Sequence, residues 1–137
     1  MHSILVKDYM QRESHAISVT ANTAEVVERL LKSGLSGLPV IDEKESVVGF
    51  ISEQDCIKEM LNDAFFCEEP ASVHKLMTRE VLTVSPSTSI VELAQTMMHQ
   101  KPKNYPVVSD GKLVGIITRR HVLQALIDND EDCYLRS

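Results

Sequence analysis

Gly37-Leu38-Pro39-Val40-Ile41 leads on to Val48-Gly49-Phe50-Ile51-Ser52-Glu53-Gln54-Asp55. The chain then says nearly the same thing again: Asn104-Tyr105-Pro106-Val107-Val108 leads on to Val114-Gly115-Ile116-Ile117-Thr118-Arg119-Arg120-His121. An internal repeat outranks any single motif as evidence of architecture, because it implies two copies of one unit, each too small to bury a core alone. Met10 and Met77, like Pro39 and Pro106, stand 67 positions apart; Gly49 and Gly115 stand 66 apart, and Val19 and Val84 stand 65 apart. The slips fall in a hairpin turn and at a helix start, where a duplicated fold tolerates them.

Each copy reads as β-α-β-β-α behind a short amphipathic helical turn, Val6…Met10 or Val73…Met77, with apolar residues at i, i+4. The leading extended stretch is Ala16–Thr20 or Val81–Ser85. The first helix of copy one opens on Asn22-Thr23-Ala24-Glu25, a capping box, and carries Val26, Val27, Leu30 and Leu31 before Gly34 supplies a left-handed stop. In copy two Ser89 and Glu92 play those parts ahead of Ile90, Leu93, Ala94, Met97 and Met98, and Pro102 ends the helix. Hairpins follow, Leu38–Asp42 with Val47–Ser52 and Tyr105–Ser109 with Leu113–Thr118, their β-branched runs predicting strands buried on both faces. The closing helices are Glu53–Leu61, with Ile57, Met60 and Leu61, and Arg119–Ile127, with Val122, Leu123 and Leu126. The division is therefore 1–61, a connecting segment 62–72, 73–127 and a polar tail 128–137; Phe65, Phe66 and Pro70 make the connector apolar enough to pack on the rest, and Tyr134 and Leu135 could dock the tail.

The bulk properties narrow the function class. With 43% hydrophobic and 25% charged residues the 137-residue chain is an ordinary globular composition, aliphatic in its core since aromatics make only 4%. A net charge of −6 opposes nucleic-acid binding, which needs a basic face to displace phosphate counterions. No apolar run suits a signal peptide or a membrane span. Cys56, Cys67 and Cys133 form no CxxC pair, so free thiols in a reducing cytoplasm are the simplest reading. The five histidines show no metal-ligand clustering, and the six methionines read as core. No phosphate loop of the Walker type, nucleophile elbow or catalytic triad is present, so an enzyme is not expected.

A strand that runs into a helix N-terminus aims free N–H groups and partial positive charge at one point, ready for an anion. In copy two that point carries Thr118, Arg119, Arg120 and His121; guanidinium can donate two parallel hydrogen bonds to phosphate, although such arginines can equally be a solvated helix face. Ser52-Glu53-Gln54-Asp55 can hold a ligand or merely cap its own helix. Tyr105 can stack on a base, or fill the core with its hydroxyl at the surface. Lys101-Pro102-Lys103 is a small basic loop beside the Tyr105 strand, either solvated or within reach of phosphates.

The duplicated unit, the apolar-Pro-Val-x-Asp strand of Leu38–Asp42 and the Gly-x-x-Ser/Thr-x-x-Asp junction of Gly49, Ser52 and Asp55 resemble the CBS-domain pair. The likeness spans about residues 5 to 127. It implies an α/β (α+β) fold in which the two repeats pack through their sheets about a pseudo-two-fold axis and leave two clefts for adenosine compounds: AMP, ADP, ATP or S-adenosylmethionine. By position it places Ser52 and Asp55 at ribose and phosphate, and Ile17, Ser18, Gly37, Leu38 and Pro39 around the base. The corresponding positions of copy two are Tyr105, Pro106, Thr118, Arg119, Arg120 and His121. His121 departs from the pattern, since imidazole does not replace a carboxylate gripping a vicinal diol. The second cleft is then empty, specialised or responsive to pH near neutrality. The resemblance further implies a stand-alone, non-catalytic sensor with no cofactor. It would dimerise through the helices flanking its sheets and act on a separate effector protein. The alternative is a ligand-free dimerisation or interaction module of the same fold.

Overall fold

A computed structural model describes residues 4–66, 71–100 and 102–129, with the side chains of 63–66 left aside. Cys67, Pro70, Lys101, Cys133, Tyr134 and Leu135, and the packing of Phe65 and Phe66, lie outside what is described. Copy one contains β1 (Ile17–Ser18), α1 (Thr23–Ser33), β2 (Gly37–Ile41), β3 (Val47–Ser52) and α2 (Glu53–Phe66). Copy two contains α3 (Val73–Leu76), α4 (Ile90–His99), β4 (Asn104–Ser109), β5 (Lys112–Thr118) and α5 (Arg119–Asp128), and a 3-10 turn over Val6–Asp8 precedes copy one as α3 precedes copy two.

Local chemistry accounts for the element boundaries. Asn22 Oδ1 accepts from the Glu25 N–H at 2.9 Å and Ser89 Oγ from the Glu92 N–H at 3.5 Å, so each first helix is capped as expected, though Glu25 makes no return bond. Gly34 ends α1 at φ 70°, with its N–H on Leu30 O at 3.1 Å. The β4–β5 turn is Asp110-Gly111 at φ 52° and 77°, two left-handed residues that match the strand twist. Its counterpart runs over five residues, 42–46, with Asp42 Oδ1 accepting from the Lys44 and Ser46 N–H groups at 2.9 and 3.0 Å.

Copy one forms a three-stranded sheet β1-β2-β3, with β1 parallel to β2; copy two forms only the β4-β5 hairpin. The expected strand Val81–Ser85 shrinks to one bridge, Val84 against Val107, because Val84 alone exchanges hydrogen bonds with β4. Strands β2 and β4 are buried almost throughout, but burial alternates along β3, correcting the expectation that every strand is covered on both faces. Phe50 and Ser52 of β3 turn towards a cleft instead of a core.

Each copy's leading segment crosses to the other copy. Leu5 bridges Ser89 and Gln11 bridges Ile116; at the equivalent positions Ser72 bridges Asn22 and Thr78 bridges Phe50. The cores follow the crossing: Val73 and Met77 are buried among Ile17, Val26, Leu38 and Ile51, whereas Val6 is buried among Ile90, Tyr105, Ile117 and Val122. This reciprocal exchange is the pseudo-two-fold symmetry of the molecule in physical form. It also explains the repeated glycines. A Cβ on Gly115 would stand 2.6 Å from the Gln11 carbonyl oxygen, and one on Gly49 would collide with the Met77 sulfur and stand 3.0 Å from Thr78 O.

The helical stripes are wider than the cores they serve. Leu31 and Met98 are 80% and 82% exposed, and Ile57, Met60, Leu61, Leu123 and Leu126 are exposed too, so the reading of these residues as core is corrected, while Met77 is buried and Met10 and Met97 pack against a core. One sheet face per copy has room for Val26 and Leu30 of α1 or Ile90 and Leu93 of α4, and the flanking apolar positions stay outside.

Candidate functional site

Two hollows open where the copies meet, and the same pseudo-symmetry relates part of their linings. The first, about 500 Å³, has Ser52, Glu53 and Gln54 at the start of α2 on one side. Its opposite wall is the leading segment of copy two, Thr78 and Glu80 to Leu82, and its floor holds Ser36 and Asn104. The second, about 620 Å³, is lined by Thr118, Arg120 and His121 of α5 and its approach, with Gln11 and Leu35 opposite. Gln11, Leu35, Thr118 and Arg120 occupy the places held in the first cleft by Thr78, Pro102, Ser52 and Gln54. At the seam Asn104 Nδ2 donates to Ser36 Oγ at 3.1 Å, the Glu53 N–H to Ser36 O at 3.0 Å and the Arg119 N–H to Lys103 O at 3.1 Å.

Both junctions close on themselves. Asp55 Oδ2 accepts from the Ser52 N–H at 2.9 Å and from the Ser52 hydroxyl at 3.0 Å, while Ser52 Oγ lies 3.2 Å from the Asp55 N–H. His121 reproduces the device with nitrogen: Nδ1 accepts from the Thr118 N–H at 3.0 Å, and the His121 N–H points to Thr118 Oγ1 at 3.4 Å. Only a ring unprotonated at Nδ1 can accept, and burial pushes the His121 pKa below its ordinary value, so the neutral form is the one the fold selects. The imidazole thus replaces the carboxylate as a helix cap, whatever it does for a ligand.

The structure gathers some of the expected site residues and disperses others. Ser52 lines the first cleft, and Thr118, Arg120 and His121 line the second. Arg119 is exposed on the first turn of α5, close enough to Tyr105 for its charge to oppose the rise that burial imposes on the phenol pKa. Asp55 faces a separate hollow between α2 and α3, with Lys58 and Lys75. Ile17 and Leu38 are buried in the core of copy one, Gly37, Pro39 and Pro106 are buried in their strands, and Ser18 is exposed with its hydroxyl 2.9 Å from that of Thr20. Tyr105 fills the core of copy two, 1% exposed; its hydroxyl is buried as well, not at the surface, and has no hydrogen-bond partner among the described residues. Sequence reading missed Ser36, Thr78, Glu80 and Asn104, because it assigned each leading segment to its own copy. The 67-residue offset marks Thr78 and Gln11 as equivalents, but no pattern in the chain says that they cross. Among the described residues no cluster of His, Cys, Asp or Glu could hold a metal ion.

Comparison with known proteins identifies the fold. The CBS-domain family model matches residues 6–62 and 73–128. A crystal structure of CBSX2, an Arabidopsis thaliana protein, in complex with AMP superposes with a TM-score of 0.79 at 30% identity, covering 93% of this chain and 98% of that one. The CBS domain pair of protein MJ0100 in complex with 5'-methylthioadenosine and S-adenosyl-L-methionine gives 0.77 at 25% identity, covering 90% of this chain and 99% of that one. The MJ1225 protein of Methanocaldococcus jannaschii is 27% identical over 88% of this chain, which spans only 42% of that longer protein.

Proposed function

Since the chain belongs to the CBS-domain family, we propose that it is a regulatory, non-catalytic module that binds an adenosine-containing ligand, AMP, ADP, ATP or S-adenosylmethionine, in the clefts between its two copies. The observation that carries this reading is the pair of hollows, each walled by one copy's strand-to-helix junction and the other copy's leading segment. A ligand seated there touches both copies at once, so its affinity depends on their relative arrangement. That dependence is what a sensor requires, because a ligand shifts an equilibrium only through differential affinity for its states. The AMP complex of CBSX2 supports the ligand class. Signalling to a separate effector completes the proposal, as does a reducing cytoplasm, in which the buried free thiol of Cys56 is at home.

Self-association has its own support. Ile57, Met60 and Leu61 on α2 and Leu123, Leu126 and Ile127 on α5 are equivalent positions, and all six are exposed. An apolar face repeated by the pseudo-symmetry suits a homodimer formed through the helices flanking the sheets. Sedimentation of Leu123→Glu and Ile57→Glu should show a monomer where the parent chain sediments as a dimer.

The test of ligand binding is calorimetric titration with AMP, ADP, ATP and S-adenosylmethionine, alongside thermal melts. A ligand at a hundredfold over its dissociation constant adds about 2.7 kcal/mol, a shift that a melt resolves. Flat traces for all four would favour the second reading, a ligand-free interaction module. One observation speaks for that alternative: the Ser52–Asp55 and Thr118–His121 pairs already satisfy each other as caps.

A further inference from the structure

The two clefts differ in charge. Where α2 begins with Glu53-Gln54, α5 begins with Arg119-Arg120, a difference of three unit charges at equivalent positions. Among the described residues the first cleft is lined by two carboxylates, Glu53 and Glu80, and by the Lys103 ammonium. Among the described residues the second is lined by the Arg120 guanidinium and the His121 imidazole, and the counterpart of Glu80, Glu13, stands two residues beyond Gln11 on the opposite segment. The helix ends repeat the contrast. Glu53 and Asp55 supply negative charge in the first turn of α2, whereas α5 has no acidic residue in its first turn. The positive end of α2 thus has carboxylates beside it, and that of α5 has none in its first turn.

From this we infer that the clefts divide adenosine compounds by charge. The Ser52 cleft takes an adenosyl compound without phosphate, a neutral nucleoside or a cationic sulfonium, and the Thr118 cleft takes the phosphate-bearing ones. The inference rests on the reading above, that these clefts bind adenosine compounds at all. A phosphate placed at the α2 mouth meets Glu53 and Glu80, and like charges brought together in a cleft oppose binding. The same group at the α5 mouth meets the guanidinium of Arg120, which can donate two parallel hydrogen bonds to it. Such a division would let one chain compare two adenosine pools, the phosphorylated and the unphosphorylated.

Titration of the full chain with adenosine, S-adenosylmethionine, AMP and ATP tests it. All four substituted side chains are exposed, and melts of each variant verify its folding. The expected result is a single AMP per chain, with Arg120→Gln weakening AMP about tenfold and leaving S-adenosylmethionine unchanged. Grafting the second mouth onto the first, with Glu53→Arg and Gln54→Arg together, should create a second AMP site of similar strength and weaken S-adenosylmethionine; Glu80→Gln should move both in the same sense by less. AMP binding that ignores Arg120→Gln, or an unchanged AMP stoichiometry in the grafted variant, overturns the division while leaving ligand binding in place. Silence from all four compounds overturns the function reading and this inference with it.

Discussion

A single hydrogen atom decides whether Gly49 and Gly115 can do their work. Neither needs a left-handed backbone; both sit in extended strands where the other copy's leading segment passes within contact of the Cα. Gly115→Ala must push the Gln11 backbone aside, so it should cost about 1–3 kcal/mol in a denaturant melt, as overpacking does. His121 makes the second prediction at this scale. Its folded pKa lies below the ordinary value of 6.5, so below that pH the unfolded chain binds a proton that the folded chain refuses. Its contribution to stability is complete above about pH 6.5 and is lost as pH falls towards the folded pKa. His121→Asp, which copies the Ser52–Asp55 cap with a group that ionises well below this range, should flatten the decline in melting temperature between about pH 7 and 5.5. An identical decline in the two proteins would dissociate the acid sensitivity from this residue.

At the scale of the element, both closing helices begin with a side chain that bonds back to the strand's last residue, and the cap is as much a part of the cleft mouth as any ligand contact. Asp55→Ala should therefore cost about 1 kcal/mol of stability before any ligand is added. If nucleotide-induced stabilisation also disappears, Asp55 serves a ligand; if it survives, the residue is a cap alone. Elements of this kind were legible in the chain because their causes are local: Asn22, Ser89 and Gly34 act on backbone within a few residues. The helical stripes were read too generously, as Leu31 and Met98 demonstrate. Periodicity finds the apolar side of a helix but not how much of it a neighbour covers.

At the scale of the molecule, the exchange of leading segments makes each core depend on residues from both ends of the repeat. Val6→Ala should accelerate amide hydrogen exchange in β4 and β5, about a hundred residues away, and leave β2 and β3 protected. Val73→Ala should do the reverse; exchange that quickened near the substituted residue only would refute the crossed arrangement. The sequence by itself determined that there are two copies, that each carries a strand-to-helix junction, and that Asp55 and His121 break the symmetry between them. These are matters of residue order and local geometry. Only the tertiary structure decided which copy's leading segment walls which cleft, why Gly49 and Gly115 must be glycine, and that the Asp55 carboxylate folds back onto Ser52. The first two outcomes arise from contacts between segments some 30 to 110 residues apart, and a repeat is silent on whether its parts pack within a copy or across. The mismatch at the junction remains the most informative difference in the chain, now with a shape on either side of it: one mouth carrying carboxylates, the other guanidinium.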